Sequence, residues 1–158
     1  MRIERLDPSD PAARHCLHAY AAELDRRFGA GGFDPALSIP ATDDDLRPPA
    51  GLLLVATMEG SPVGCVALKL HGDAPAEVKR MWVDPAVRGV GLGRRLLLAV
   101  EEEARAEGVS VLHLETNASL TEAMALYRSA GYVEVPAFSD EAYAHHWFEK
   151  RLPDRGAS

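Results

Sequence analysis

The stretch RGVGLGRRLL, residues 88–97, carries glycine at three alternate positions, Gly89, Gly91 and Gly93, and runs directly into a leucine-rich pattern of helical period. Glycine reaches positive φ without steric cost, so this spacing marks a sharp turn and not the interior of a helix or strand. The segment before it, EVKRMWVDP, reads as a strand. The segment after it reads as an amphipathic helix over residues 94–107. Leu92, Leu96, Val100 and Ala104 share one face, Glu101 is placed to pair with Arg105 four residues on, and Gly108 is the stop. VSVLHLET then supplies another strand. A strand, turn, helix and strand in succession call for a sheet with a covering helix, which places the chain in the α/β class.

The flanking segments fit that class. MRIERLD alternates like a strand, and SDP offers Ser9 or Asp10 as an N-cap with Pro11 in the first helical turn. A helix through Leu17, Tyr20, Leu24 and Phe28 follows, with Gly29 placed to end it. Residues 29–50, with Gly31, Gly32, four prolines and the run Asp43, Asp44, Asp45, form a long connection. It is either a functional loop or a solvated linker holding one helical turn. GLLLVATM and PVGCVALKL, joined by EGSP, read as a hairpin of two buried strands. Ser119 with Glu122 is a capping box that opens a helix through Leu120, Met124 and Tyr127, ending at Gly131. YVEV and HHWFEKRL are the closing strands.

Composition removes several classes of function. With 47% hydrophobic and 26% charged residues, 158 residues suit a single domain spanning 1–158. No apolar run approaches the ~18 residues of a membrane span and MRIERLDPSD has no apolar leader core, so a cytoplasmic address is expected. A net charge of −7 argues against nucleic acid as a partner. Cys16 and Cys65 lie apart, without ligand spacing, and read as packed reduced thiols. No metal site is expected. His145 and His146 point to opposite faces of a strand, His15 and His18 share a helix face without a third ligand, and His71 and His113 read as packed single residues.

A strand, a glycine turn and a helix start together make an anion site, because free N–H groups and the positive end of the helix dipole converge there. Arg94 and Arg95 in the first turn, ahead of Glu101, Glu102 and Glu103, reverse the order the dipole prefers, and Arg88 adds a third positive charge. An external anion would relieve that conflict; a turn that only packs closely is the plain alternative. A dinucleotide fingerprint needs glycine where Arg94 or Leu96 stands, and a phosphate loop of the Walker type needs a lysine that residues 80–149 lack.

The pattern that fits is a third one. Arg88-Gly89-Val90-Gly91-Leu92-Gly93, preceded by EVKRMWVDP and followed by ALYRSAGY, resembles the pyrophosphate loop and flanking segments of the GNAT superfamily of acyl-CoA-dependent N-acetyltransferases over residues 77–135. The resemblance implies a mixed, largely antiparallel sheet of about six or seven strands flanked by helices. It implies acetyl-CoA as co-substrate, its pyrophosphate on the backbone of Arg88, Gly89, Val90, Gly91, Leu92, Gly93 and Arg94, and its pantetheine arm along Met81, Trp82 and Val83. It implies Tyr127 as proton donor to the departing thiolate, Glu77 as the base, directly or through water, and an oxyanion held by backbone near Trp82 or Val83. Glu115 is a second, weaker choice of base. Leu120 stands where many members place asparagine, and Asn117 is the nearby substitute. The acceptor is then a primary amine on a small molecule or peptide, shaped by residues 29–50 and 136–144, with the acidic run at Asp43 favouring a cationic one. The alternative is a catalytically weak acyl-CoA-binding regulatory module. A homodimer is left open.

Overall fold

The computed structural model describes residues 1–27, 43–116, 121–140 and 144–153. In chain order these form β1 (Arg2–Arg5), α1 (Pro11–Arg27), a 3-10 turn (Asp43–Leu46), β2 (Gly51–Met58), β3 (Ser61–His71), β4 (Ala74–Val83), a second 3-10 turn (Pro85–Val87), α2 (Leu92–Ala106), β5 (Val111–Thr116), α3 (Thr121–Ser129), β6 (Val133–Val135) and β7 (His146–Arg151). The expected Gly29 stop, Ser119 cap, Leu120 and Asn117 lie outside the described residues.

The seven strands make one sheet in the order β1-β2-β3-β4-β5-β7-β6, antiparallel throughout except for the parallel pair β4 and β5. The sequence pattern located β6 and β7 but not their order. β7 inserts between β5 and β6, and the three-residue β6, with Val133 and Glu134 exposed, is a short edge that offers little to pair with.

Both faces of the sheet are covered, which is why GLLLVA reads as an unbroken apolar run. Leu52, Leu54, Ala56, Val66, Leu68, Ala76 and Val78 pack with Leu92, Leu96, Leu97, Val100 and Ala104 of α2 and Tyr127 of α3. Leu53, Val55, Cys65, Ala67 and Trp82 face the other way, onto Ala13 and Cys16 of α1. α1 packs chiefly on β2, β3 and β4. Its N-cap is Asp10, whose Oδ1 accepts from the Ala12 N–H at 2.9 Å, while Ser9 donates to Asp7. Both cysteines are buried and unbridged.

The acidic run forms a single 3-10 turn, and each aspartate has a basic neighbour. Asp43 meets Arg14 at 3.3 Å, Asp44 meets Arg47 at 2.9 Å and Asp45 meets Lys69 at 4.0 Å. Each pairing offsets part of the charge that the run presents to a distant cation.

Candidate active site

Two irregularities of β4 create the site. Between β3 and β4 the register steps from Cys65↔Trp82 to Ala67↔Lys79, so one extra residue is inserted on β4, and Arg80 takes φ 57 there. The bulge switches side-chain parity: Ala76 and Val78 precede it on the α2 face, and Met81 and Val83 follow it on that same face, leaving Trp82 to the α1 side. The Cys65 thiol donates to the Arg80 carbonyl at 3.1 Å and ties the bulge to β3. On its other side β4 pairs with β5 only at Ala76↔Leu112 and Glu77↔His113. Beyond that foot β4 runs on to Val83 and β5 to Thr116 unpaired with each other, so an opening parts the two strands. Backbone groups of β4 that would meet a neighbouring strand there have no β5 partner.

At the mouth of the opening the glycines do different work. Gly89 (φ 91) and Gly91 (φ 80) sit in the left-handed region, and a Cβ on either would meet nothing within 4 Å, so the demand is conformational. Gly91 is the N-cap of α2, which begins without a side-chain cap and without an acidic residue in its first turn. The helix therefore starts at Leu92, two residues before the expected position, with its first N–H groups unclaimed by any side-chain cap. Gly93 packs closely: a Cβ there would lie 2.8 Å from Leu126 Cδ2, so that side chain would have to shift.

The arginines are more engaged than their clustering implied. Arg88 donates through Nε to the Val83 carbonyl at 3.1 Å and through Nη2 to Glu23 of α1. Arg94 Nη2 reaches the Ser129 carbonyl at 3.0 Å and Oγ at 3.2 Å, satisfying the end of α3. Only Arg95 of the three stays exposed without a partner among the described residues.

Tyr127 is buried, its ring between Tyr132 at 6.0 Å and Phe148 at 6.2 Å. Burial, and to a lesser degree Tyr20, pushes its hydroxyl well above the ordinary tyrosine range, so it is a donor at any working pH. That hydroxyl bonds to no described residue. Its neighbour Tyr132 donates to Glu101 Oε2 at 3.0 Å, and Lys150 Nζ reaches Glu101 Oε1 at 3.0 Å and the Ala130 carbonyl at 2.8 Å. Glu101 is thus a buried charge, 1% exposed, and not the surface partner of Arg105, which pairs with Glu102 at 2.7 Å instead. Leu97 four residues before and Ala104 three residues after place Glu101 on the apolar stripe, the signal the i,i+4 reading passed over.

Glu77 stands at the foot of the opening on the α1 face. Oε1 lies 2.6 Å from His71 Nε2 and Oε2 lies 3.3 Å from Lys79 Nζ. Desolvation raises its pKa, but the Lys79 charge and the His71 hydrogen bond prevail and hold the carboxyl below its ordinary value. Its register partner His113, read from sequence as packing, contacts Glu149 at 3.0 Å and stacks on Phe138 at 4.2 Å. The signal was the alternation of β5, which puts His113 and Glu115 opposite Leu112 and Leu114. Glu115 accepts from the Ser139 hydroxyl, which in turn accepts from Trp147 Nε1 at 3.0 Å. Glu77 and residues 81–83 thus lie along β4 beside its unpaired stretch, residues 88–94 follow its end, and Tyr127 sits in the core cluster on the α2 side of the sheet. Among the described residues no group of three metal-ligating side chains converges.

The chain matches the Acetyltransferase (GNAT) family over residues 17–132. It is 43% identical over 114 residues to the IAA acetyltransferase of Azospirillum brasilense, covering 71% of this chain and 73% of that protein. To the N-alpha-acetyltransferase RimI of Mycobacterium tuberculosis it is 34% identical over 117 residues, covering 72% and 71%. A Klebsiella pneumoniae structure taken to be an acyl-CoA N-acyltransferase superimposes with a TM-score of 0.76 at 28% identity, covering 96% of this chain and 97% of that one. A seven-stranded sheet parted between β4 and β5, with a glycine turn and an uncapped helix at the mouth of the gap, is thus seen in a chain that belongs to the GNAT acetyltransferase family.

Proposed function

We propose that this acetyltransferase moves the acetyl group of acetyl-CoA to a primary amine of a small molecule or peptide by direct attack. The observation that carries the reading is the opening between β4 and β5, whose mouth is a helix start with free N–H groups and whose foot holds a carboxylate. In this reading the pyrophosphate rests on the backbone of Arg88, Gly89, Val90, Gly91, Leu92, Gly93 and Arg94, where the N-terminal dipole of α2 favours an anion. The pantetheine arm lies along Met81, Trp82 and Val83 as an added strand, and a backbone N–H near Trp82 or Val83 takes the oxyanion. Asn117 supplies a further cofactor contact. Tyr127 protonates the departing thiolate. Glu77 receives the ammonium group of the acceptor and promotes its deprotonation, directly or through water. No helix among the described residues is long and apolar enough to cross a membrane.

The loop assignment is tested by calorimetry of acetyl-CoA with Gly91→Val. A side chain at φ 80 is strained and blocks approach to the backbone, so affinity should fall by more than tenfold, or more than about 1.4 kcal/mol. Unchanged affinity in a folded Gly91→Val protein would refute it.

A further inference from the structure

One in-register row crosses the sheet at the foot of the opening: Lys69 on β3, Glu77 on β4, His113 on β5 and Glu149 on β7. Neighbouring strands lie about 4.8 Å apart, so the side chains of Glu77 and His113 are adjacent on the α1 face, and both border the gap. They differ in what they can still accept. Both oxygens of Glu77 face cationic or hydrogen-bonding groups, His71 at 2.6 Å and Lys79 at 3.3 Å, and a carboxylate so held is a weak proton acceptor. His113 Nε2 lies 3.0 Å from Glu149 Oε1. A carboxylate only accepts, so Nε2 carries the hydrogen, and in the neutral ring Nδ1 then offers a lone pair, with no described residue bonded to it. Phe138, stacked at 4.2 Å with 14° between the planes, fixes the ring. The side chain is 19% exposed, so water or a substrate amine can reach it.

We propose that His113, oriented by Glu149, takes the proton of the acceptor ammonium, with Glu77 holding that ammonium as its counter-ion. The assignment rests on the N-acetyltransferase reading and names the group that ends its proton path. The ammonium N–H bond breaks with its electron pair kept by nitrogen, and the proton passes directly or through one water to Nδ1, forming an imidazolium against Glu149. The neutral amine attacks the thioester carbonyl, the C–S bond breaks, and the thiolate takes the Tyr127 hydroxyl proton. A second N–H proton, shed as the amide forms, restores Tyr127, and the imidazolium releases the first to solvent. The charged groups around His113 are Glu77 from β4, itself held by Lys79 and His71 and in register with Lys69 of β3, Glu149 from β7 and, two residues along β5, Glu115 held by Ser139.

The test is His113→Gln, which keeps a donor toward Glu149 and removes the acceptor nitrogen, read as kcat and kcat/KM against pH by thiol release. Turnover should fall by roughly a hundredfold or more and the acid limb of the wild-type profile should vanish, while acetyl-CoA affinity stays unchanged. Glu149→Gln removes the charge behind the imidazolium, so its acid limb should move to lower pH. A folded His113→Gln protein with wild-type kcat and an unmoved acid limb overturns the assignment. Should that variant fail to fold, an unmoved limb in Glu149→Gln overturns it equally. Wild-type protein is the control that separates the two levels: an active wild type with unaffected variants sinks this assignment alone, and a wild type that acetylates no amine sinks the reading beneath it.

Discussion

Replacing Glu101 by alanine should be among the most damaging single changes away from the opening. The carboxylate is 1% exposed and bonded to both Tyr132 and Lys150, so its removal strands a lysine that is 19% exposed and orphans a buried phenol. Breaking one side of a buried pair costs about 3–5 kcal/mol, because the remaining charge is left uncompensated. At ~2–4 °C per kcal/mol for a domain of this size, the melting temperature should drop by roughly 6–20 °C. The double change Glu101→Leu with Lys150→Met removes both charges and should recover most of that loss, since the desolvation cost disappears with them. Tyr132 packs on Tyr127, so Glu101→Ala should also lower kcat more than it raises KM for acetyl-CoA. The assay is thermal unfolding followed by circular dichroism, with thiol-release kinetics below the transition. A melting temperature within ~2 °C of wild type, or a double variant less stable than Glu101→Ala, would refute the reasoning.

Tyr127→Phe keeps the ring between Tyr132 and Phe148, so stability should hold while kcat falls by roughly a hundredfold or more, and normal turnover would make the residue core only. Because the Tyr127 hydroxyl is pushed above its ordinary range, the wild-type rate should show no alkaline loss from this group as pH rises toward the usual tyrosine value of about 10. Glu77 is held below its ordinary value, so its ion pair adds stability above the usual carboxylate range, and that stability is lost as pH falls through and below the range. The difference in melting temperature between wild type and Lys79→Met should accordingly be constant near neutrality and shrink in acid; a gap independent of pH would remove the linkage.

The hairpin of β2 and β3, the amphipathic α2 and the capped α1 were legible because each is a local pattern: unbroken apolar runs, a 3.6-residue stripe, an aspartate before a proline. The glycine turn was legible for the same reason, since alternate glycines report φ directly at Gly89 and Gly91. What the sequence hid is long-range. The bulge at Arg80 depends on how β3 and β4 register, and it leaves no glycine or proline to announce it. Arg88 and Arg94 looked like free anion receptors because Glu23 and Ser129, 65 and 35 residues away, are invisible to local rules. At Gly93 the sequence did not show that α2 meets Leu126 there, which leaves little room for a Cβ. That His113 also meets Glu149 was hidden, because this partner arrives only when β7 inserts beside β5. Glu101 obeyed the surface pairing rule with Arg105, but its place on the apolar stripe outweighed it.

The central claim is that the opening between β4 and β5 catalyses acetyl transfer to nitrogen, and mass spectrometry of acceptor mixtures tests it most directly. Purified protein with acetyl-CoA and a panel of amino acids, polyamines, aminoglycosides and peptides should convert at least one amine to its N-acetyl form, with one free CoA thiol released per acetyl group gained. The Tyr127→Phe protein should make far less of the same product. Tight binding of acetyl-CoA with no N-acetyl product and no thiol release beyond that of buffer would contradict the claim and leave a binding module in its place.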